Sequence, residues 1–346
     1  MSFLDRLFGK PPAASPPKGQ SVSADANGQR NGSSNDVSID PTALMRLKTL
    51  ELRAKTVVEG FMSGIHRSPY HGFSVEFTDY RPYSPGDDVR YIDWKLFARQ
   101  DRYYIKRFED ETNLRCYLVA DLSGSMEFGT LEYSKADYAR TLMATFAYFL
   151  SLQRDAVGLL TFDQTIGEYI PPRFRSGHMR RLMLALERAT SGKRTEIAPP
   201  LEQITKLAKR RSLIVLVSDL LAPIDQLDKK LAYLNSQGHE VVIWRVLDPS
   251  EIQFNFEDAT IFEDLESGKR LFVDPEAVKK NYLKRFKEHA DQLEEICRQK
   301  NCYLSTISMD EPLENVLSEF VRWRSLNQKS ARRHSNQTRT IAGGAS

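Results

Sequence analysis

From Leu114 onward the sequence alternates short apolar runs with longer amphipathic runs. The apolar runs are "LRCYLVAD", "AVGLLTF", "SLIVLVSD", "HEVVIWRVLD" and "CYLSTIS". They are almost continuously apolar, which is typical of strands buried on both faces of a sheet. Runs with helical periodicity separate them, such as "EYSKADYARTLMATFAYFLSLQ". The alternation predicts an α/β fold with a doubly wound, mostly parallel sheet covered by helices on both faces.

The remainder of the chain divides by composition. Residues 41–62 have helical spacing after a proline suited to a first helical turn, and residues 63–110 are rich in Tyr, Pro and Gly with the strand-like piece "YYIKRFE". The two ends are polar and predicted to be disordered. We therefore expect a tether at 1–40, an accessory helix and β segment at 41–111, the α/β domain at 112–325 and a basic tail at 326–346.

Charge and cysteine content exclude several classes of protein. The 49 basic and 46 acidic residues give a net charge of +3, too near balance to indicate nucleic acid. Cys116, Cys297 and Cys302 form neither a CxxC pair nor a disulfide framework. The uncharged run "TLMATFAYFLSLQ" falls well short of the roughly 20 residues of a membrane span, and no secretory signal is visible. We expect a cytoplasmic protein.

Polar side chains follow two of the predicted strands. Asp121, Ser123 and Ser125 follow the first strand, Asp219 ends "SLIVLVSD", and Thr195 lies in the loop "GKRTEIAPP". In a doubly wound sheet the carboxyl ends of the strands share one edge, where ligands bind. All five side chains offer oxygen and none offers sulfur or imidazole, which suits a hard cation such as Mg²⁺ or Mn²⁺. The sequence therefore predicts a metal site at this edge.

The charge of this set favours binding over catalysis. Two carboxylates nearly neutralise one divalent cation, and three hydroxyls add dipoles but no charge, so the metal stays electrophilic toward a carboxylate from another protein. A catalytic magnesium site more often has a phosphate-cradling loop or a general base beside it, and neither is visible. We expect a protein that is not an enzyme.

Two other interpretations of the same residues stay open. Ser123 or Ser125 could simply cap a helix, with Asp219 closing a strand. Alternatively the cluster could serve a serine- or metal-dependent hydrolase, with one serine as nucleophile and His178 or His239 as base. The sequence "DLSGSM" lacks the GxSxG elbow of such hydrolases.

The set "DLSGS", "RTEI" and "SDL" resembles the metal-ion-dependent adhesion site of von Willebrand factor A domains, with all five ligand positions filled. Asp121, Ser123 and Ser125 match its first loop, Thr195 the second and Asp219 the third. In that family Mg²⁺ commonly bridges to an acidic residue of a partner. The resemblance implies a module for protein–protein interaction.

A second signature lies upstream, in "EFTDYRPYSPGDDVRYIDWKLFAR". Its mixed charges argue against nucleic acid and favour either a tightly hydrogen-bonded subdomain or a partner-binding surface. The residues of interest are Asp79, Tyr80, Arg81, Tyr83, Asp87, Asp88, Arg90, Asp93, Trp94 and Arg99.

This second segment is similar to the signature of the bacterial family known as domain of unknown function fifty-eight, whose other half is an A-type domain. The resemblance covers about residues 42–325. Members are typically found beside MoxR-type AAA+ ATPases. The resemblance thus implies an adaptor or cofactor for such an ATPase, or a protein that binds its client, in the assembly or maturation of client complexes.

Overall fold

A computed structural model describes most of the segment between the two polar ends. The described residues are 38–67, 79–83, 96–97, 102–107, 114–163, 165–188, 198–221, 224, 227–256, 260–263, 270–273 and 275–326. Within these ranges, no helix has the length and apolar character needed to span a membrane.

The strands form one large sheet and two small antiparallel pairs. In chain order they are β1 (Asp79–Pro82), β2 (Tyr104–Arg107), β3 (Arg115–Asp121), β4 (Ala156–Phe162), β5 (Ile166–Arg173), β6 (Leu213–Ser218), β7 (Glu240–Leu247), β8 (Thr260–Glu263), β9 (Arg270–Val273) and β10 (Tyr303–Ser308). The large sheet has the order β10-β7-β6-β3-β4-β5, while β1 pairs with β2 and β8 with β9.

The helices flank the large sheet. They are α1 (Pro41–Met45), α2 (Leu50–Arg67), α3 (Lys135–Leu152), α4 (His178–Leu186), α5 (Ala198–Leu207), α6 (Leu227–Ser236), α7 (Pro249–Gln253), α8 (Pro275–Gln299) and α9 (313–326). A short 3₁₀ helix, Gly124–Glu127, follows β3.

The predicted α/β class is confirmed. All pairs among β10, β7, β6, β3 and β4 are parallel, and β5 returns antiparallel on β4. The pair β8–β9 was not foreseen.

The helix predicted over 41–62 is two helices in the structure, because the first one ends at Met45. Arg53 donates from Nη2 to the carbonyl of Met45 (2.6 Å) and from Nε to that of Leu47 (2.9 Å), which satisfies acceptors released at the break. The second segment, α2, runs on to Arg67.

Both faces of the sheet are buried, which explains the continuous apolar runs. Along β6, Leu213, Val215 and Val217 point into one core, while Ile214 and Leu216 point into the other. The first core also contains Phe61 of α2, whose ring meets that of Phe149 in α3 edge to face at 5.7 Å. Helix α2 thus shares a core with the sheet, although it belongs to the segment expected to be accessory.

Candidate metal centre

Asp121 ends β3, a central strand paired on one side with β4 and on the other with β6. Its Oδ1 accepts a hydrogen bond from the backbone N–H of Ser123 (3.0 Å), and its Oδ2 accepts one from the hydroxyl of Ser218 (2.5 Å). Ser218 is the last residue of β6. The carboxylate is therefore fixed from its own loop and from the neighbouring strand, at the carboxyl edge of the sheet.

The two serines of the loop face each other. Ser123 is extended and precedes the 3₁₀ helix, and its hydroxyl lies 3.1 Å from that of Ser125. The hydroxyl of Ser125 in turn lies near the carboxylate of Asp219 and helps to lower the pKa of that carboxyl. The spacing of two residues brings both hydroxyls to one side of the loop, between the two carboxylates.

Asp219 directly follows β6, where the backbone turns sharply through Leu220 with φ 53°. Its Oδ1 accepts from the N–H of Leu221 (3.2 Å), and its Oδ2 accepts from Nζ of Lys135 (2.9 Å). The structure thus brings four of the five predicted ligands into one hydrogen-bonded cluster: Asp121, Ser123, Ser125 and Asp219. Thr195, the fifth, lies outside the described residues.

Helix capping does not account for the two serines. Ser123 makes no side-chain cap hydrogen bond at the 3₁₀ helix, and the N-cap of α3 is Ser134, which forms a capping box with Asp137. The carboxylates do support their own turns, because Asp121 and Asp219 each accept the N–H two residues ahead. Each carboxylate also binds a group from elsewhere in the chain, which a turn alone does not require.

The two histidines considered as a hydrolase base lie at the other edge of the sheet. Nε2 of His178 is 2.7 Å from the carbonyl oxygen of Val157, near the start of β4, and His239 directly precedes β7. The serines follow the end of β3 instead. His178 and His239 are therefore not placed to serve Ser123 or Ser125 as a base.

A buried lysine that the sequence analysis did not single out completes the site. Lys135, the first residue of α3, is fully buried, and its Nζ lies 2.9 Å from Oδ2 of Asp219 and 2.7 Å from Oε1 of Glu251. Burial alone would lower the pKa of Lys135, but the charges of Asp219 and Glu251 raise it above its ordinary value. A cation at the positive end of a helix is unfavourable by itself. A lysine at the predicted start of α3 was therefore the feature of the sequence that could have indicated a need for carboxylate partners.

Glu251 is held from the opposite side by the cap of α7. Its Oε2 accepts the N–H of Asp248 (2.9 Å), while Asp248 caps the helix through Ser250 (2.7 Å). Asp248 also accepts from the N–H and the hydroxyl of Thr130, each at 2.7 Å. The loop after β3 and the loop after β7 are joined through this carboxylate.

Arg245 of β7 lies under the same cluster. It is 1% exposed, and its Nε donates to the backbone carbonyl of Asp219 (3.1 Å) while its guanidinium stacks over the ring of Phe286. Burial lowers the pKa of Arg245, against the opposing effect of Asp219. The turn that carries Asp219 is thus supported by one buried cation at its backbone and another at its side chain.

Negative charge exceeds positive charge among the described groups of this cluster. The ionisable side chains are Asp121, Asp219, Asp248, Glu251, Lys135 and Arg245, which together carry a formal charge of −2. Burial raises the pKa of Asp121 to about 7, and the charge of Asp219 adds to this effect. For Asp219, burial raises the pKa, but the charge and hydrogen bond of Lys135, together with Ser125 and the N–H of Leu221, outweigh it and lower the pKa. Of the two candidate carboxylate ligands, Asp219 has a cation beside it and Asp121 has none among the described residues.

A divalent cation fits this donor set. Carboxylate and hydroxyl oxygens are the ligands of Mg²⁺ and Mn²⁺, and a charge of +2 matches the excess of −2. Of the four gathered ligands only Ser125 is partly exposed, so the cluster opens toward solvent on its side. Within the described ranges, no group of three or more His, Cys, Asp or Glu side chains is arranged to hold a metal, which leaves the mixed hydroxyl and carboxylate set as the candidate.

A cavity adjoins the site next to Asp121. Its volume is about 480 Å³, and its lining includes Leu122, Phe162, Glu168 and Arg188. Arg188 is paired with Glu168 at 2.6 Å. The lining thus combines apolar side chains with the ion pair of Arg188 and Glu168.

Part of the second signature is described. Asp79, Tyr80 and Arg81 lie in β1, opposite residues 105–107 of β2, and the N–H of Tyr83 donates to the carbonyl of Tyr103 (2.9 Å). The remaining residues of that set lie outside the described part of the chain: Asp87, Asp88, Arg90, Asp93, Trp94 and Arg99.

Fold and cluster together define an α/β protein with a buried group of oxygen donors at the carboxyl edge of its sheet. The family model described as "Protein of unknown function DUF58" matches residues 79–292. The chain belongs to this family.

Among its relatives are the uncharacterized proteins Rv1480 of Mycobacterium tuberculosis and Mb1516 of Mycobacterium bovis. Each is 27% identical over 297 residues, which cover 84% of this chain and 92% of the relative. The uncharacterized protein MAV169 of Mycobacterium avium is 24% identical over 145 residues, covering 42% of this chain and 85% of the relative.

Solved structures with a similar fold include BatB from Bacteroides thetaiotaomicron, with 14% identity, a TM-score of 0.42, and coverage of 62% of this chain and 99% of that one. Another is the SpRpn10 VWA domain, with 12% identity, a TM-score of 0.36, and coverage of 60% and 95%. Identities this low do not transfer the role of any residue.

Proposed function

We propose that this protein is a divalent-cation-dependent module for protein–protein interaction. Mg²⁺ or Mn²⁺ would be held by Asp121, Ser123, Ser125 and Asp219, with Thr195 as the fifth ligand. The observation that carries the proposal is the convergence of two carboxylates and two hydroxyls in one buried cluster with an excess of negative charge. When bound, the cation would supply a Lewis-acidic point that accepts a carboxylate of a partner protein.

The protein's own residues prepare this site. Ser218 and the N–H of Ser123 fix the carboxylate of Asp121, and the N–H of Leu221 fixes that of Asp219. The hydroxyl ligands add no negative charge of their own, so they do not add to the repulsion of an anionic partner. The burial of both carboxylates excludes water from one side of the cluster, which strengthens electrostatic attraction there.

The partner we propose is a MoxR-type AAA+ ATPase or its client, which follows from the family resemblance of the two sequence signatures. The protein would act as an adaptor or cofactor in the assembly or maturation of client complexes. The cavity beside Leu122 supports such a role, since it offers space for residues that flank the partner's carboxylate. Its ion pair, Arg188 with Glu168, gives that space a polar rim.

Calorimetric titration with Mg²⁺ and Mn²⁺ tests the metal site. We expect the wild type to bind and Asp121→Asn to lose binding, because the variant removes one of two ligand charges. Asp228→Asn is the matched control, since Asp228 pairs with Lys300 away from the site (3.0 Å). A wild type that binds neither cation would contradict the proposal.

Affinity capture with the candidate ATPase tests the bridge to the partner. We expect capture in Mg²⁺, loss on adding a chelator, and loss for Asp121→Asn but not for Asp228→Asn. Capture that is the same in all four conditions would show that the interaction does not use the metal.

A further inference from the structure

Lys135 occupies a position that no local requirement of its helix explains. It lies at the start of α3, where the helix dipole disfavours a cation, and it is fully buried. Its neighbour Ser134 caps the helix, and the ammonium, which has donors only, cannot accept from the free N–H groups there. Placing an ammonium ion there costs free energy that its two carboxylate partners offset, with a further contact of Nζ over the ring of Phe128 (5.7 Å to the centroid).

The two partners of Lys135 differ in what else they do. Asp219 is a candidate metal ligand, and its Oδ2 accepts from Nζ at 2.9 Å. Glu251 lies 2.7 Å from Nζ on the other side and is anchored by the N–H of Asp248. Glu251 thus keeps the ammonium in place independently of any metal.

We propose that Lys135, held by Glu251, is the internal counter-charge of the candidate metal centre, an inference that rests on the proposed function. Lys135 keeps Asp219 in its ligand position before a cation arrives. Lys135 also limits how tightly the cation binds, because its positive charge interacts with the same carboxylate and repels the cation. Lys135 and Glu251 are positioning residues that set the affinity of the site for the cation without binding the cation themselves.

The two side chains should act in opposite directions on cation affinity. Replacing Lys135 by a neutral residue removes a repulsive charge from a buried site, where charges are weakly screened, so the cation binds more tightly. Replacing Glu251 by glutamine removes one of the two carboxylates that pair with the ammonium. The charge of Lys135 then acts on Asp219 without that compensation, so the metal cation binds more weakly. No role confined to packing predicts such opposite signs.

The experiment is a calorimetric titration of the full chain with Mn²⁺ for the wild type, Lys135→Met, Glu251→Gln and the double variant. We expect about tenfold tighter binding for Lys135→Met and at least about threefold weaker binding for Glu251→Gln. The double variant, which restores the net charge, should bind within about threefold of the wild type. A thermal shift with Mn²⁺ against chelator provides a second readout, which should be larger for Lys135→Met.

An effect of a substitution on folding can be distinguished from its effect on Mn²⁺ binding. Circular dichroism in chelator checks each variant, and if Lys135→Met does not fold, the weaker binding expected of Glu251→Gln still tests the inference. A wild type that binds Mn²⁺ with no change in either single variant overturns this inference alone. No binding by the wild type or any variant overturns the proposed function as well.

Discussion

The hydroxyl of Ser218, at the end of β6, donates a 2.5 Å hydrogen bond to Oδ2 of Asp121, at the end of β3. The same hydroxyl accepts from the N–H of Leu220 (3.0 Å). Ser218 therefore joins the two loops that carry the candidate carboxylate ligands, and both of its hydrogen-bonding roles are used.

We predict that Ser218→Ala weakens Mn²⁺ binding severalfold and lowers the free energy of unfolding by about 1 to 2 kcal/mol. The alanine leaves one oxygen of Asp121 without its donor and the turn after β6 without its acceptor. Calorimetry and urea unfolding measure the two effects.

Ser212→Ala is the matched control for this prediction. Ser212 is equally buried, lies just before the same strand and hydrogen-bonds the carbonyl of Arg210 (2.7 Å). It should lose a similar amount of stability with no change in Mn²⁺ affinity. Equal effects of the two variants on affinity would show that Ser218 has no part in the site.

The sequence was sufficient for the sheet and for the gathering of the ligands. Strands buried on both faces are almost continuously apolar, as Leu213–Ser218 is, so these short apolar runs identified them. Parallel strands end at one edge, so Asp121 at the end of β3 and Asp219 just after β6 had to lie close together.

The second half of the site could not be predicted in the same way. Lys135 and Glu251 are 116 residues apart, and each occupies a helix-terminal position where charged residues are commonly solvated. Ser218 precedes Asp219 in a strand and looks like an ordinary strand residue. The contact between Lys135 and Glu251 depends on the segments that follow β3 and β7 meeting at one point, which the local sequence pattern does not encode.

The fifth predicted ligand provides a separate test. We predict that Thr195→Ala weakens Mn²⁺ binding severalfold, since it removes one neutral oxygen donor and no charge. Thr205→Ala is the control, because its hydroxyl binds the carbonyl of Glu202 within α5 (2.6 Å). Calorimetric affinities that are equal for the two variants would remove Thr195 from the ligand set.

Phe146 of α3 joins three elements of the first core. It is fully buried, and its ring meets those of Trp244 in β7 (5.0 Å) and Phe320 in α9 (4.9 Å) edge to face. We predict that Phe146→Ala lowers the free energy of unfolding by about 3 to 5 kcal/mol, measured by urea denaturation. Phe174→Ala is the control, since Phe174 is 55% exposed and should change stability by less than about 0.5 kcal/mol. Similar losses for both would contradict this assignment of the core.

Asp155 makes the stability of the fold depend on pH. Its Oδ1 accepts the N–H of Leu114 (3.0 Å), next to the start of β3. Burial raises the pKa of Asp155 from 3.8 to about 6, against the opposing effects of Leu114 and Arg324. Because the folded state binds this proton more readily than the unfolded state, the contribution to stability is fully present below pH 3.8 and is lost as the pH rises through about 6.

We therefore predict that Asp155→Asn, which stays uncharged and keeps an oxygen to accept from Leu114, gains stability relative to the wild type as the pH rises from about 4 to about 8. Urea unfolding of both proteins across this range gives the difference in the free energy of unfolding at each pH, and titrating groups common to both cancel from it. The difference should change mainly between the unfolded and folded pKa of Asp155. A difference that is constant with pH would show that Leu114 and Arg324 balance the burial penalty, and one that moves in favour of the wild type would show that they outweigh it.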